Sequence, residues 1–363
     1  MRALASFVAF VLVLSSAATA LPCGAPFGDE IRVEPDQKIV VGYHAGIETY
    51  VFGPRFCGKA SAFGLVLPVP TPLSASPALA APELFHELDA LSAPTVQIEY
   101  VCADESGEGL GCGTAASDKA LAGGNQGVNV IDAGRVGDFD WVQVQADTQA
   151  AFTDWLDANG YPYPAGATAV FDHYVGKGWY FVAFKFATTL SAPPPGSEVC
   201  GDLGPFALEF PTPEPVVPAR ITAAGAMGSL VWDVYTLTAE QQRALPDPGI
   251  LSSELRYAWG LAAADLADLP EVATLAVAGD HVTRLRLTIE PSWLADDLAF
   301  AVEPAPGDFR ATDIQYVTRS CDGCSVRAGS GARRLPAADL LLWLGALALA
   351  CRTGRRRARE QAR

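Results

Sequence analysis

The segment Trp179 to Phe186 (WYFVAFKF) leaves few folds open. In an extended chain Tyr180, Val182, Phe184 and Phe186 point one way, and Trp179, Phe181, Ala183 and Lys185 point the other. A strand apolar on both faces belongs inside a sheet that is covered above and below. Such a fold needs a large apolar complement. Half of the 363 residues are hydrophobic and only 18% are charged, a balance that excludes an intrinsically disordered chain.

The flanking sequence supplies partners for that strand. Asp140 to Gln145 alternates as a half-buried strand does, and Asp147 is placed to cap a helix carrying Phe152, Trp155 and Leu156 on one face. Asn159-Gly160 stops that helix, and a second short one carries Val170, Phe171, Tyr174 and Val175 before Gly176 and Gly178. Upstream, Lys38 to Tyr43 and Thr49 to Phe52 flank the turn Ala45-Gly46 as a hairpin. Phe63 to Pro70 (FGLVLPVP) is an apolar strand that Pro68, Pro70 and Pro72 should end or confine to a sheet edge. A helix follows, with Pro82 in its first turn, Leu84, Phe85, Leu88 and Leu91 at helical spacing, and Pro94 past its end. Gly107 to Gly127 reads as a long polar surface loop, because its glycines lack the adjoining strand and helix that a phosphate cradle requires.

Beyond Pro205, β-type runs dominate: Ala207 to Phe210, Ala219 to Ala223, Leu230 to Leu237, Glu254 to Trp259 and Val282 to Ile289. In the last of these Leu285, Leu287 and Ile289 face one way while Arg284 and Arg286 face the other. Ala262 to Pro270 suits one short helix or turn. No fixed period recurs, so a repeat architecture is not expected. These elements predict a β-rich α+β fold with largely antiparallel sheets, a few short helices packed on one side, and disulfides beneath the loops. One ectodomain is expected over 21–320, with the Pro- and Gly-rich interval 192–204 as the place for any subdivision.

The two ends read as addresses. Met1-Arg2, the apolar run Ala3 to Leu14 and the small residues Ser15 to Ala20 have the layout of a secretory signal over 1–20, cut between Ala20 and Leu21. Acylation of Cys23 is disfavoured because Pro22 stands where a small residue is required. At the other end, Cys321 and Cys324 precede a Gly/Ser/Arg spacer, the apolar stretch Leu335 to Ala350, and arginines at 352, 355, 356, 357 and 359. The basic residues hold that end in the cytoplasm. Pro336, Asp339 and the shortness of the stretch suit a processed signal better than a lasting membrane span. The segment 321–363 resembles the myxobacterial C-terminal sorting signal, which implies surface display after trimming near a cysteine. Cys324 matches by position, with Cys321 as its neighbouring candidate. Export across the inner membrane to the cell surface is therefore expected, by way of the membrane and sorting machinery. A single-pass inner-membrane protein with a periplasmic ectodomain is the alternative.

Setting aside Cys351 in the tail and Cys324 leaves Cys23, Cys57, Cys102, Cys112, Cys200 and Cys321 as disulfide candidates, an even set in a chain bound for an oxidising compartment. Spacing does not select among the pairings these six allow. The nearest pair, Cys102 with Cys112, would close the acidic loop Ala103 to Gly111 and stabilise it by about 2 to 3 kcal/mol. Cys321-Asp322-Gly323-Cys324 lacks both the second ligand pair of a zinc site and the framework of a redox motif.

Four pieces resemble, in order, the bacterial secreted family known as DUF2330, frequent in myxobacteria. They are Phe63 to Pro70 with the helix Leu84 to Leu91; Val136 to Asp140; Trp155 to Tyr161 followed by Tyr174-Val175 and Phe181 to Ala183; and Val282 to Arg286 with Asp297 to Phe300. The W-L-x-x-N-G-Y and T-R-L-R pieces are the most specific, and the resemblance spans nearly all of the ectodomain. It implies a relative at the level of the fold and a secreted location, and brings no activity or catalytic residues with it. Cys23 has no near neighbour, a departure from the cysteine pair near the mature N-terminus that the resemblance implies.

Chemistry is sparse. A formal charge of -16 argues against nucleic acid as a partner, and the excess is larger between Leu21 and Cys324, with 39 acidic against 15 basic residues. His44, His86, His173 and His281 are scattered and form no H-E-x-x-H pair, and G-x-S-x-G is absent. No catalytic residue, cofactor site or metal ligand is assigned. Asp104-Glu105-Ser106-Gly107-Glu108 and Asp296-Asp297 offer oxygen donors for Ca²⁺ without the spaced loop of a dedicated site, so solvated acidic loops are expected. Arg284 and Arg286 are expected to offset nearby carboxylates rather than clasp an anion. The expected role is non-enzymatic binding or envelope structure at the cell surface. The alternatives are a secreted hydrolase of extracellular polymer using paired carboxylates, and a Ca²⁺-stabilised surface module. Two carboxyls facing across a cleft, one with a strongly displaced pKa, would mark the hydrolase.

Overall fold

The computed structural model describes residues 25–27, 32–33, 36–53, 55–59, 64–102, 127–161, 163–164, 166–186, 198–202, 204–225 and 228–319. Two units are distinguished, Met1–Glu99 with Gly107–Gln315 and Tyr100–Ser106 with Tyr316–Arg363, and the cores and sites below belong to the first. The expected signal with its Ala20/Leu21 cut, the acidic loop 104–108, the tail, and Cys23, Cys112, Cys321 and Cys324 lie outside the described residues.

β1 (Ala25–Phe27) and β2 (Arg32–Val33) precede the expected hairpin of β3 (Asp36–His44) and β4 (Ile47–Phe52). A two-residue turn of this kind needs left-handed backbone at both central positions, which Ala45 (φ 51°) and Gly46 (φ 82°) adopt. β5 (Arg55–Lys59), β6 (Gly64–Val69) and the short β7 (Ala78–Leu79) lead to α1 (Glu83–Leu91), which buries Leu84, Phe85 and Leu88. β8 (Thr95–Cys102), β9 (Val128–Val136) and β10 (Phe139–Ala146) follow, then α2 (Gln149–Ala158) and α3 (Ala167–Gly176). The N-cap of α2 is Thr148, not Asp147. The Thr148 hydroxyl accepts from the Ala151 N–H at 3.1 Å, while the Asp147 N–H is still bonded to the Gly127 carbonyl.

The second half holds β11 (Tyr180–Phe186), β12 (Glu198–Asp202), β13 (Phe206–Pro211), β14 (Val216–Val217), β15 (Leu230–Thr238), β16 (Gln242–Ala244) and β17 (Ile250–Gly260). After them come α4 (Ala263–Ala267), β18 (His281–Ile289), β19 (Leu298–Val302), β20 (Phe309–Arg310) and β21 (Thr312–Arg319). Ala219 to Ala223, expected as a strand, is instead part of a 3-10 turn, Arg220–Ala224. The buried Thr222 hydroxyl donates to the Ala219 carbonyl at 2.6 Å and closes the turn on itself.

Five strands form one sheet in the order β1-β6-β11-β10-β9, and eight form another, β20-β17-β18-β15-β3-β4-β13-β7. Three smaller sheets are β12-β5-β2, β14-β19-β16 and β21-β8. Pairing within the two large sheets is antiparallel except for β3 beside β15, which is parallel. β11 takes the interior place its two apolar faces demand. β6 also lies inside its sheet and not at an edge, but β1 reaches only Gly64 to Val66. At Pro68 the ladder partner is Phe181 of β11 alone, so the missing N–H breaks no second ladder. Strands from both sides of 192–204 pair in the same sheet, β4 with β13 and β3 with β15.

The two large sheets face one another. Leu65, Leu67, Trp141, Val182 and Phe184 of the first meet Ile39, Tyr50, Phe52, Phe206, Trp232 and Leu287 of the second in one core. The outer face of the five-stranded sheet (Val66, Val144, Phe181, Ala183) packs on Phe152, Leu156, Phe171 and Tyr174 of α2 and α3. The outer face of the eight-stranded sheet (Val40, Val51, Tyr235, Val282) packs on Leu84, Phe85 and Leu88 of α1. The helices thus cover two opposite outer faces, where the sequence suggested one side. The reason is that both sheets are apolar on both faces, and each outer face requires its own cover. Fully buried aromatic and aliphatic side chains stabilise by about 1.5 to 3 kcal/mol each. Among the described residues no helix is long and apolar enough to cross a membrane.

Candidate functional site

α3 ends beside the loop that follows a 3-10 turn at Pro291–Trp293. His173 and Lys177, four residues apart, share one side of its last turn, and Tyr174 is buried next to them. His173 Nε2 lies 3.2 Å from Asp296 Oδ1, and the Lys177 ammonium contacts that same oxygen. Lys177 Nζ is also 3.6 Å from Asp297 Oδ2. The two adjacent carboxylates differ sharply in depth, with the side chain of Asp296 54% exposed and that of Asp297 2%. Asp297 Oδ1 accepts from the Tyr174 hydroxyl at 2.6 Å and from the Arg220 N–H at 3.0 Å. The Arg220 guanidinium donates to the carbonyls of Leu294 and Ala295. From the other side Asp247 accepts from the N–H groups of Gly249, Ala295 and Asp296.

Depth divides the acidities of this pair. Burial pushes Asp297 up to about 6, against the opposing hydrogen bonds from Tyr174 and Arg220 and the charge of Lys177. Burial also resists ionisation of Asp296, but hydrogen bonds from Lys177 and from the Asp297 N–H, with the charge of Lys177, outweigh it and hold that carboxyl below the usual range. Burial, then the Asp297 carboxylate, raises the Tyr174 phenol well above its ordinary value. His173 is lowered, first by burial and then by Lys177 and Arg220. Donor atoms of His173, Asp296 and Asp297 lie within 4.8 Å of one another, a spacing that suits a metal ion. The Lys177 ammonium already sits against both carboxylates, so a divalent cation would have to displace it. Left as it is, the cluster can hold or release a proton near neutral pH and couples α3 to two loops.

A second feature lies at the β3–β4 turn. Tyr43 to Ala45, Pro213 to Pro215, Thr238 to Glu240, Gln242, Leu245 and Phe300 to Val302 line an open groove of about 530 Å³. The Tyr43 hydroxyl donates to the Pro213 carbonyl at 2.7 Å, and His44 Nε2 lies 3.4 Å from Asp280 Oδ2. Beside Tyr43 in the ladder stands Glu48, fully buried on the core-facing side of β4 with Tyr50 and Phe52. Its Oε2 accepts the Val216 N–H at 2.8 Å, and its Oε1 has no hydrogen-bond partner among the described residues. Burial pushes this carboxyl well up, with the Val216 N–H opposing.

The remaining candidates disperse. His86 is exposed on α1, and His281 Nδ1 lies 3.2 Å from the Ala239 carbonyl. Arg284 pairs with Asp233 at 3.0 Å, donates to Ser92 Oγ and stacks over the Tyr235 ring at 5.3 Å, the charge-offsetting role expected of it. Of the six disulfide candidates, Cys57 falls in β5, Cys102 at the end of β8 and Cys200 in β12. Glu48, Lys177, Arg220 and Asp247 were not singled out by sequence, and Tyr174 was read there as a helix-face position and a piece of the family resemblance without a role at a site. Glu48 alone had a readable signal, since alternation along Ile47–Phe52 puts a carboxylate in phase with two buried aromatics.

The family model described as "Uncharacterized protein conserved in bacteria (DUF2330)" matches residues 17–301, a span that takes in α3, Asp247, Asp297 and nearly all of the groove. No curated protein and no solved structure matches the chain. With more than half its length covered by that model, the chain belongs to the DUF2330 family.

Proposed function

We propose that this chain is an exported, surface-anchored ectodomain that binds or braces envelope material without catalysing a reaction. The observation that carries the reading is where the carboxyls with raised pKa values go among the described residues. Glu48 and Asp297 are both buried, both accept a backbone N–H from another element, and neither lines the groove. They act as internal clamps. The groove itself offers Glu214, Glu240, Gln242 and His44 among proline and aliphatic walls, a surface for a neutral or cationic, hydrogen-bonding segment of extracellular polymer. The signal at 1–20, the tail 321–363 with Cys324, and the even cysteine set support delivery to the cell surface through the membrane and its sorting machinery.

The test is binding of purified protein to isolated envelope polymer, alongside a Glu214→Lys/Glu240→Lys double variant. Retention that the double variant loses, with no new chain ends released from the polymer, supports the proposal. Release of chain ends would instead favour the second reading, a hydrolase, for which the split acidities of Asp296 and Asp297 are the one favourable observation. A Ca²⁺-stabilised module, resting on the His173–Asp296–Asp297 spacing, requires a melting temperature that rises with Ca²⁺ and falls with chelator.

A further inference from the structure

Two of the disulfide candidates are brought together by strand register. β5 and β12 run antiparallel with Cys200 opposite Cys57, and the ladder continues on both sides, Val199 opposite Gly58 and Gly201 opposite Phe56. Directly opposed residues of an antiparallel pair share a sheet face, with Cα atoms about 4.5 to 5.5 Å apart. A disulfide spans roughly 4.4 to 6.8 Å between Cα atoms. In both strands the cysteine is followed by glycine, Cys57-Gly58 and Cys200-Gly201, which leaves the backbone free to adjust to the bridge. The sheet also needs reinforcement, since β12-β5-β2 is built of strands of 5, 5 and 2 residues, short for independent stability.

We propose that Cys57 and Cys200 form a disulfide that staples β5 to β12. Each thiol gives up its proton and the two sulfurs join. The two electrons pass, by way of a mixed disulfide, to the disulfide of a thiol–disulfide oxidoreductase, which is reduced to its dithiol. In the cell the bond rests on the export proposed above, because a cytosolic chain would be held reduced. The pairing leaves Cys23, Cys102, Cys112 and Cys321 for any further bridges.

The protein is captured from whole cells of its native host with thiols blocked, denatured, and digested with trypsin without reduction. Cleavage after Arg55, Lys59, Lys185 and Arg220 yields peptides 56–59 and 186–220, each with a single cysteine, so a species joining them has one meaning. The expected result is that joined mass, replaced by the two separate peptides on reduction. In a Cys57→Ser variant Cys200 should become available to the blocking reagent. Either cysteine found joined to a different partner overturns the bridge. If both are recovered as blocked free thiols, the reduced full-length chain is reoxidised in a glutathione buffer. The 56–59/186–220 species then upholds the pairing and sinks the export reading, whereas other pairs, or none, sink the pairing itself.

Discussion

Tyr174 and Asp297 meet through a 2.6 Å hydrogen bond on the inner side of α3, and the oxygen that accepts it also takes the Arg220 N–H. One carboxylate thereby ties a helix to a 3-10 turn and to the loop before β19. Its second oxygen has no hydrogen-bond partner among the described residues and faces Lys177 at 3.6 Å. A carboxyl held this way is structurally useful in either protonation state and ionises less readily than an exposed one, since burial penalises the charge. The charge on the outside of the cluster is carried by Asp296, which Lys177 keeps ionised.

The first prediction is a pH dependence with a defined sign. Asp297 rises from an ordinary 3.8 to about 6 on folding. Below about 4 the group is protonated in both states and adds no penalty. Above 6 it is ionised in both, and the full penalty is present. Stability from this group therefore falls as pH climbs from 4 to 6, by about 3 kcal/mol at most. Asp296 is shifted the opposite way, so its contribution changes only below 3.8. Asp297→Asn retains an oxygen acceptor for Tyr174 and Arg220 but has no proton to lose. Denaturant unfolding of both proteins should show the variant gaining on the wild type between pH 4 and pH 6, with little change below. A constant difference across that range would show that Asp297 titrates normally.

Glu48 separates the value of a charge from that of an acceptor. Its folded pKa lies well above 4.5, so the destabilising charge is absent at low pH and grows as pH rises. Glu48→Gln keeps an oxygen for the Val216 N–H and should be neutral or stabilising at pH 7. Glu48→Ala leaves that N–H unpaired in the interior and should lose about 1 to 3 kcal/mol, before any cavity effect. Equal loss in the two variants, measured by denaturant melts at pH 7, would contradict this account.

The cap of α2 gives a third. Thr148→Ala removes the hydroxyl that accepts the Ala151 N–H and should lower stability by about 1 kcal/mol, whereas Asp147→Ala should change it by less than about 0.5 kcal/mol. The reverse order in thermal melts would restore Asp147 as the cap.

What the sequence disclosed and what it withheld follow from how local each signal is. The two-faced β11, the apolar stripes of α1, α2 and α3, and the Ala45-Gly46 hairpin are encoded within a dozen residues each and were legible. β9 was not. As an edge strand exposed at nearly every position, it carries no alternation to read. The parallel pairing of β3 with β15 joins Asp36 to Val231, a separation over which pattern says nothing. Ala219 to Ala223 reads as β-type from Ile221 and its small apolar neighbours, yet the buried Thr222 hydroxyl bonding back to Ala219 curls the segment into the turn Arg220–Ala224. At the site, Asp296-Asp297 stood out as acidic, but the sequence of two identical residues cannot say which one is buried. That depends on Tyr174, 123 positions away.

The last prediction concerns Gly249, which has no unusual backbone angle to explain it. A Cβ at this position would lie 2.6 Å from the Leu294 N and 2.8 Å from its Cα. Those are backbone atoms of a buried residue and cannot swing aside. Gly249→Ala must push the 294–297 loop outward, with a loss of about 1 to 3 kcal/mol. Because the Leu294 and Ala295 carbonyls hold Arg220, whose N–H serves Asp297, the displacement should also loosen the carboxyl's burial. NMR titration of Asp297 in this variant should then give a pKa moved from about 6 toward the ordinary 3.8. Gly176→Ala is the matched control, since nothing lies within 4 Å of its Cβ and alanine favours the helix it belongs to. It should leave the Asp297 titration where it was, and an equal shift in both variants would break the proposed link between Gly249 and the buried carboxyl.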